Sequence, residues 1–382
     1  MDWRRTALVS TVVVLIATSR ASASPPPAVA LERRIAEVKS IFVGSLRSQP
    51  VRCGDAYDVS VEETLKGDPP GLVVRVRAPY HFNGCIVREN DPPPKALEAG
   101  AKRALFFAAD EKDGARDTWN VVTLDPDAGM SATFWIGVYA SYSASFGPDA
   151  VRALVELDAP RRDAKSAAEL WVKGLAGANP ILVEALLDRF RIVAGGDPAR
   201  SAVAPNFGDE LVQRAQRDAA VAPKELLAAV LAHCGDALPP HQTQALACAA
   251  EAYGRAGPEE RPLFEKAIAA ARANARAGVN DVRDVAVWLL VAADDADAVA
   301  ALVDLMRRKD QMSYQRLQEV ALAAQLAHRG GARRDEAVGA VVALVDEREE
   351  VRGLAMEALR KMTGEGFTDA PAWKHWWAAR RK

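Results

Sequence analysis

The chain is poor in the residues that usually carry chemistry. It holds four cysteines and five histidines in 382 residues, too little cysteine for a disulfide-stapled miniprotein. It also lacks an excess of either charge. Its 49 lysines and arginines stand against 51 aspartates and glutamates, a formal net charge of −2, so no bulk basic field exists to hold nucleic acid. No G-x-S-x-G elbow, H-E-x-x-H zinc helix or phosphate-cradling glycine loop occurs. What is present is apolar residues at 49% with 26% charged, which excludes a disordered tail and supplies cores for two or three domains.

Residues 1–23 have the layout of an export signal. Arg4 and Arg5 give a positive start, residues 7–17 (ALVSTVVVLIA) form an apolar run, and Ala21-Ser22-Ala23 is an A-x-A cleavage site before Ser24 and three prolines. Those eleven residues reach only about 16 Å as a helix, against a hydrocarbon core of about 30 Å, so a membrane anchor is the poorer reading. The pattern that follows a twin-arginine pair is missing, and no cysteine lies near the cleavage site to accept a lipid. The expectation is a periplasmic or extracellular protein with no transmembrane segment after cleavage. Cleavage removes three of the 49 basic and one of the 51 acidic residues, leaving a modestly acidic mature chain.

After a linker or short helix at 24–34, residues 35–146 carry short apolar runs broken by glycine and proline. Residues 41–46, 57–65, 72–76, 104–108 and 119–124 read as strands, with Tyr57, Val59 and Val61 alternating and a turn cluster at 66–71 (KGDPPG). Strands this short and this close describe a small barrel or sandwich. From residue 147 to 382 the expectation is helical. Beyond residue 160, 52 of 222 residues are alanine, the strongest helix former. Val282, Val285, Ala286, Leu289 and Leu290 lie on one helical face, and the apolar-x-x-apolar-Ala motif returns at Leu317 and Val351, spacings of 35 and 34 residues. Between these lie second helices bearing Val299, Leu302, Val303 and Met306, then Val338, Val341, Val342 and Val345. An earlier helix at 244–253 carries Leu246-Ala247 in the equivalent place. A helix pair cannot bury two apolar faces alone, and stacked pairs are the solution such repetition implies.

The carboxy-terminal part resembles HEAT-type helical repeats. Its ending, Leu359-Arg360-Lys361-Met362-Thr363-Gly364, Phe367 and Trp373-Lys374-His375-Trp376-Trp377, is similar to the closing segment of secreted bacterial HEAT-repeat proteins. Trp373, Trp376 and Trp377 share one helical edge, read first as a hydrophobic cap over the last repeat and second as a candidate contact surface. The amino-terminal part resembles the netrin-like domain of tissue inhibitors of metalloproteinases, an oligonucleotide/oligosaccharide-binding (OB) type barrel. The residues that carry this are Ile41-Phe42-Val43-Gly44, the strand 59–65 running into Lys66-Gly67, Val73, Val74 and Val76, Gly84-Cys85, and Gly100 before Leu105-Phe106-Phe107. Those inhibitors chelate the protease zinc with an amino-terminal cysteine, whereas the mature terminus expected here is Ser24 and no cysteine precedes Cys53. Inhibition by that route does not carry over.

If the first strands form a meander, the loops holding Cys53 and Cys85 lie at one end of the barrel, and export permits a disulfide between them. Cys234 ends one helix and Cys248 sits about 12 Å into the next, beyond the roughly 7 Å Cα limit, so these two are expected as buried, unpaired core residues. Cys53, Asp55, His81 and Cys85 could also supply the donors for a zinc site, in competition with the disulfide. Residues 125–129 (DPDAG) resemble the opening of a calcium loop, but no bidentate glutamate follows. His233, His241, His328 and His375 lie on separate repeats or turns. No cofactor and no catalytic residue is expected.

The densest aromatic stretch holds Phe134, Trp135, Tyr139 and Tyr142. It reads first as a last strand packed between barrel and helices, second as a contact surface. The functional expectation is an exported, non-catalytic binding or scaffold module whose helical-repeat surface takes another envelope or secreted protein or peptide. A protease-regulating barrel and, more remotely, a metal-dependent hydrolase are the alternatives.

Overall fold

The computed structural model describes residues 32, 35–36, 38–47, 56–67, 71–77, 104–112, 115–123, 132–135, 141–144, 148–159, 162–194, 209–235, 239–277, 280–308, 313–328 and 332–381. The export signal, Cys53, Asp55, His81, Cys85, residues 125–129 and Tyr139 lie outside the described residues.

The amino-terminal apolar runs are strands β1 (Ser40–Leu46), β2 (Ala56–Lys66), β3 (Val73–Arg77), β4 (Ala104–Lys112) and β5 (Ala115–Thr123). They curl into a closed barrel in the order β1-β2-β3-β5-β4, with β1 antiparallel to both β2 and β4. The closing seam between β3 and β5 is parallel and short, pairing Val76 with Arg116 and Arg77 with Asp117. A hairpin of β6 (Ala132–Trp135) and β7 (Ser141–Ala144) follows, with Phe134 opposite Tyr142.

Burial explains why two strands lack alternation. Phe42 and Phe106 stack inside the barrel, ring centroids 5.2 Å apart, with Val59, Val74 and Val76 around them. Their neighbours Ile41, Val43, Leu105 and Phe107 point the other way, against Val151 and Leu154 of α1 (Pro148–Leu157) and Ile181 and Ala185 of α3 (Pro180–Ala194). A strand covered on both faces is apolar throughout. The first compact unit comprises residues 23–193 and 203–229, and so includes α2 (Ala164–Leu175), α4 (Asp209–Ala219) and the start of α5 (Pro223–Ala232).

A buried charge cluster holds the chain before β1 within this unit. Arg189, on α3, is fully buried, donates to Glu32 Oε1 at 2.6 Å and forks onto Asp158 at 3.0 and 2.8 Å. Burial pushes the Glu32 carboxyl up to about 7, even though Arg189 pulls the other way. Lys66 adds a second tie, donating to the carbonyls of Ile35 and, at 2.7 Å, Val38. The next residue, Gly67, has φ +79°, and a Cβ there would collide with the Lys39 carbonyl oxygen, so the turn requires glycine.

The second compact unit comprises residues 1–22, 194–202 and 230–382. It contains α6 (Pro239–Tyr253), α7 (Glu265–Arg276), α8 (Asn280–Ala292), α9 (Ala298–Met306), α10 (Ser313–His328), α11 (Ala332–Ala343), α12 (Glu349–Thr363) and α13 (Ala370–Arg380). The motifs at 282, 317 and 351 fall on α8, α10 and α12. These helices and α6 pack successively as one layer, while α9, α11 and α13 succeed one another in a second. Val282, Val285, Ala286, Leu289 and Leu290 are all buried, as are Val351, Ala355, Leu359 and Met362. The stacked helix pairs expected from the spacing are therefore present.

Arginines fasten successive helices, a device the apolar pattern does not reveal. Arg316, near the start of α10, donates to the carbonyls of Met306 (2.5 Å) and Arg308, where α9 ends. Arg352, near the start of α12, donates to Val345 and Glu347 at 3.2 and 3.0 Å, just past α11. Each supplies donors to carbonyls that a helix end leaves unsatisfied. Among the described residues no helix is long and apolar enough to cross a membrane.

Candidate functional site

The second unit carries an open groove of about 1010 Å³ running along α7, α9, α11 and α13. Its floor is built from small residues, Ala300 and Ala301 on α9 and Gly339, Ala340 and Ala343 on α11. Alanine, read from the sequence as a helix former, has a second consequence here: without side-chain bulk the helices leave open space between them. At one end Trp377 of α13 lies against Gly339, where a Cβ would sit 2.7 Å from the indole Cζ2. Only glycine allows that ring its place.

Charged walls rise from this floor. Arg276 donates to Asp297 at 2.9 Å, and Arg380 approaches Asp335 at 3.7 Å. Arg272 forks onto Asp295 at 3.1 and 2.6 Å. The same Asp295 accepts the Asp297 N–H at 3.0 Å, which ties the α8–α9 turn to α7. Asp304 has Arg283 at 4.0 Å, the limit of an ion pair. Arg307 and Arg381, both exposed, and Glu336 also line the groove. The walls thus carry five arginines against four carboxylates, a small cationic surplus in a chain of net charge −2.

The tryptophan stripe divides in function. Trp373 is fully buried, edge-on to Phe367 at 5.1 Å and to Trp376 at 5.6 Å. It forms the cap and offers no contact surface, which corrects its place among the candidate contact residues. Trp376 and Trp377 are half-buried, and the Arg380 guanidinium lies 5.6 Å over the Trp376 ring. Of the other aromatic candidates, Phe134, Trp135 and Tyr142 are on the β6–β7 hairpin, and their side chains are outside the described ones.

Cys234 and Cys248 are buried and in no disulfide among the described residues, and burial pushes the Cys234 thiol up to about 12. His241 is held below the ordinary imidazole value by its burial and by the charge of His233. Among the described residues no group of three histidine, cysteine or carboxylate side chains is placed to hold a metal ion. The groove was missed in the sequence because its floor is made of alanine and glycine, which the periodicity assigns to helix packing. The available signal was the recurrence of arginine and aspartate at the ends of the second helices.

Neither a protein-family model nor a curated protein sequence matches the chain. Among solved structures, a designed armadillo repeat protein in complex with the peptide (KR)4 is similar at 18% identity and a TM-score of 0.39, covering 52% of this chain and 82% of that one. An engineered protein is similar at 17% identity and TM-score 0.38, covering 56% and 86%. A second designed armadillo repeat protein is similar at 17% and TM-score 0.33, covering 50% and 98%. Likeness at this level identifies neither a family nor a ligand.

Proposed function

We propose that this chain is an exported, non-catalytic binding module whose helical stack takes a protein segment or peptide in the groove between α7, α9, α11 and α13. The observation that carries the reading is the groove itself, open and lined by side chains from the four alternate helices α7, α9, α11 and α13. Such a surface suits many weak contacts with an extended partner better than the enclosure a reacting centre needs. Export rests on the layout of residues 1–23, and the partner is then another envelope or secreted protein. The strand order of the barrel, with β3 and β5 parallel at the seam, supports the OB-type, netrin-like reading of the first unit.

Selection of random linear peptides on the purified mature protein tests this. Bound clones are expected to be saturable and to be lost when the groove is filled by Ala300→Trp with Ala343→Trp, both at exposed positions. Clones that bind the filled variant equally well would overturn the assignment. Determination of the amino-terminal residue of the protein made in its own host tests export, with Ser24 expected.

A further inference from the structure

The groove reading can be carried to the chemistry of its occupant. We infer that the groove takes an extended acidic peptide bearing bulky apolar side chains; the inference rests on the groove being the binding surface.

The first argument is charge left over after internal pairing. Asp297 is satisfied by Arg276 and Asp335 has Arg380, so these carboxylates are already occupied. Arg307 at the end of α9 and Arg381 after α13 are exposed and take part in no ion pair among the described residues, opposed by the unpaired Glu336, while Asp304 is held by Arg283 from outside the groove lining, at 4.0 Å. Two guanidiniums against one carboxylate favour carboxylates on the ligand, which they can hold in forked hydrogen bonds. The second argument is shape. The alanine and glycine floor leaves space beside the apolar side chains of Leu290, Val303 and Met306, and half-exposed Trp377 stands beside Arg380 and Arg381. That space and its apolar lining favour a ligand with large apolar groups next to its acidic ones.

Length follows from helix spacing. Three steps of 8–10 Å between four helices make roughly 27 Å, which an extended chain covers in about eight residues.

The test is fluorescence anisotropy of the mature protein with three labelled nine-residue peptides. They share a leucine and phenylalanine framework and differ in carrying glutamate, lysine or serine between. The glutamate peptide is expected to bind most tightly and to weaken with added salt. Arg307→Glu and Arg381→Glu should each cost it about two- to five-fold, and Glu336→Lys should strengthen it by a similar factor. Retained circular dichroism shows that these exposed substitutions leave the fold intact. Tighter binding of the lysine or serine peptide at the groove, or a glutamate peptide indifferent to both charge reversals, overturns this inference while leaving the groove reading in place. Saturable binding of none of the three overturns both.

Discussion

Trp373→Ala probes the end of the helical stack. The side chain is fully buried and meets Phe367 and Trp376 at interplanar angles of 83° and 88°. Deleting a buried indole costs about 3–5 kcal/mol, most of it lost burial and cavity. The two edge-to-face contacts lie inside that figure and do not add to it. For a unit of this size the loss corresponds to a fall of on the order of 10 °C in Tm. The native residue also carries a penalty, because its indole N–H is buried without a hydrogen-bond partner among the described residues, worth about 1–3 kcal/mol. Trp373→Phe keeps one aromatic ring of the two and removes that orphan donor, so it should cost less than half as much as the alanine change. Since α13 packs on α11 and α12 and repeat stability passes between neighbours, hydrogen exchange should accelerate in α11, α12 and α13 and stay unchanged in the barrel strands. Denaturant unfolding followed by far-UV circular dichroism gives the energies. A loss below about 1 kcal/mol for Trp373→Ala, or faster exchange in the barrel as well, would refute the capping argument.

Three further outcomes are expected. Glu32 titrates near 7 because burial raises it against the pull of Arg189; the folded state then binds a proton more tightly than the unfolded one, so its contribution is present at acid pH and lost as pH rises through 7, by on the order of 3 kcal/mol at most. Glu32→Gln should flatten the fall in Tm between pH 5 and 8, and an unchanged profile would count against it. Gly339→Ala should displace the Trp377 ring, which a Cβ would approach to 2.7 Å, visible as a shift in tryptophan emission that Gly366→Ala, with open space around it, does not produce. Native alkylation at pH 8 should leave Cys234 and Cys248 unmodified, because both are buried and the Cys234 thiol stays protonated. Mass measurement after denaturation should then show two thiols, rising to four on reduction if Cys53 and Cys85 are bridged.

The local elements were legible wherever a single periodicity governed them. Val282 to Leu290, Leu317 and Val351 announced the first helix of each pair, because a helix packed on one side must repeat its apolar residues at three and four. Strands β1 and β4 were legible as continuous runs, although the reason, a second face against α1 and α3, was not. Cys234 and Cys248 were placed as core residues without a disulfide from helix geometry alone, and both are buried with no disulfide among the described residues. Nothing local distinguishes Trp373, which is buried, from Trp377, which lines the groove, since both sit on the same helical edge.

What the sequence by itself determined is the class of each segment, a strand-rich part followed by an array of alanine-rich helix pairs. Those depend on contacts within a turn or two of helix or between neighbouring strands. Tertiary structure decided the rest. It brought Glu32 to Arg189 across 157 residues, selected which arginines are spent on carboxylates and which are left exposed, and set four helices around a floor of alanine and glycine. A groove is space that side chains leave unfilled, and an unfilled volume has no residue of its own to mark it in a sequence.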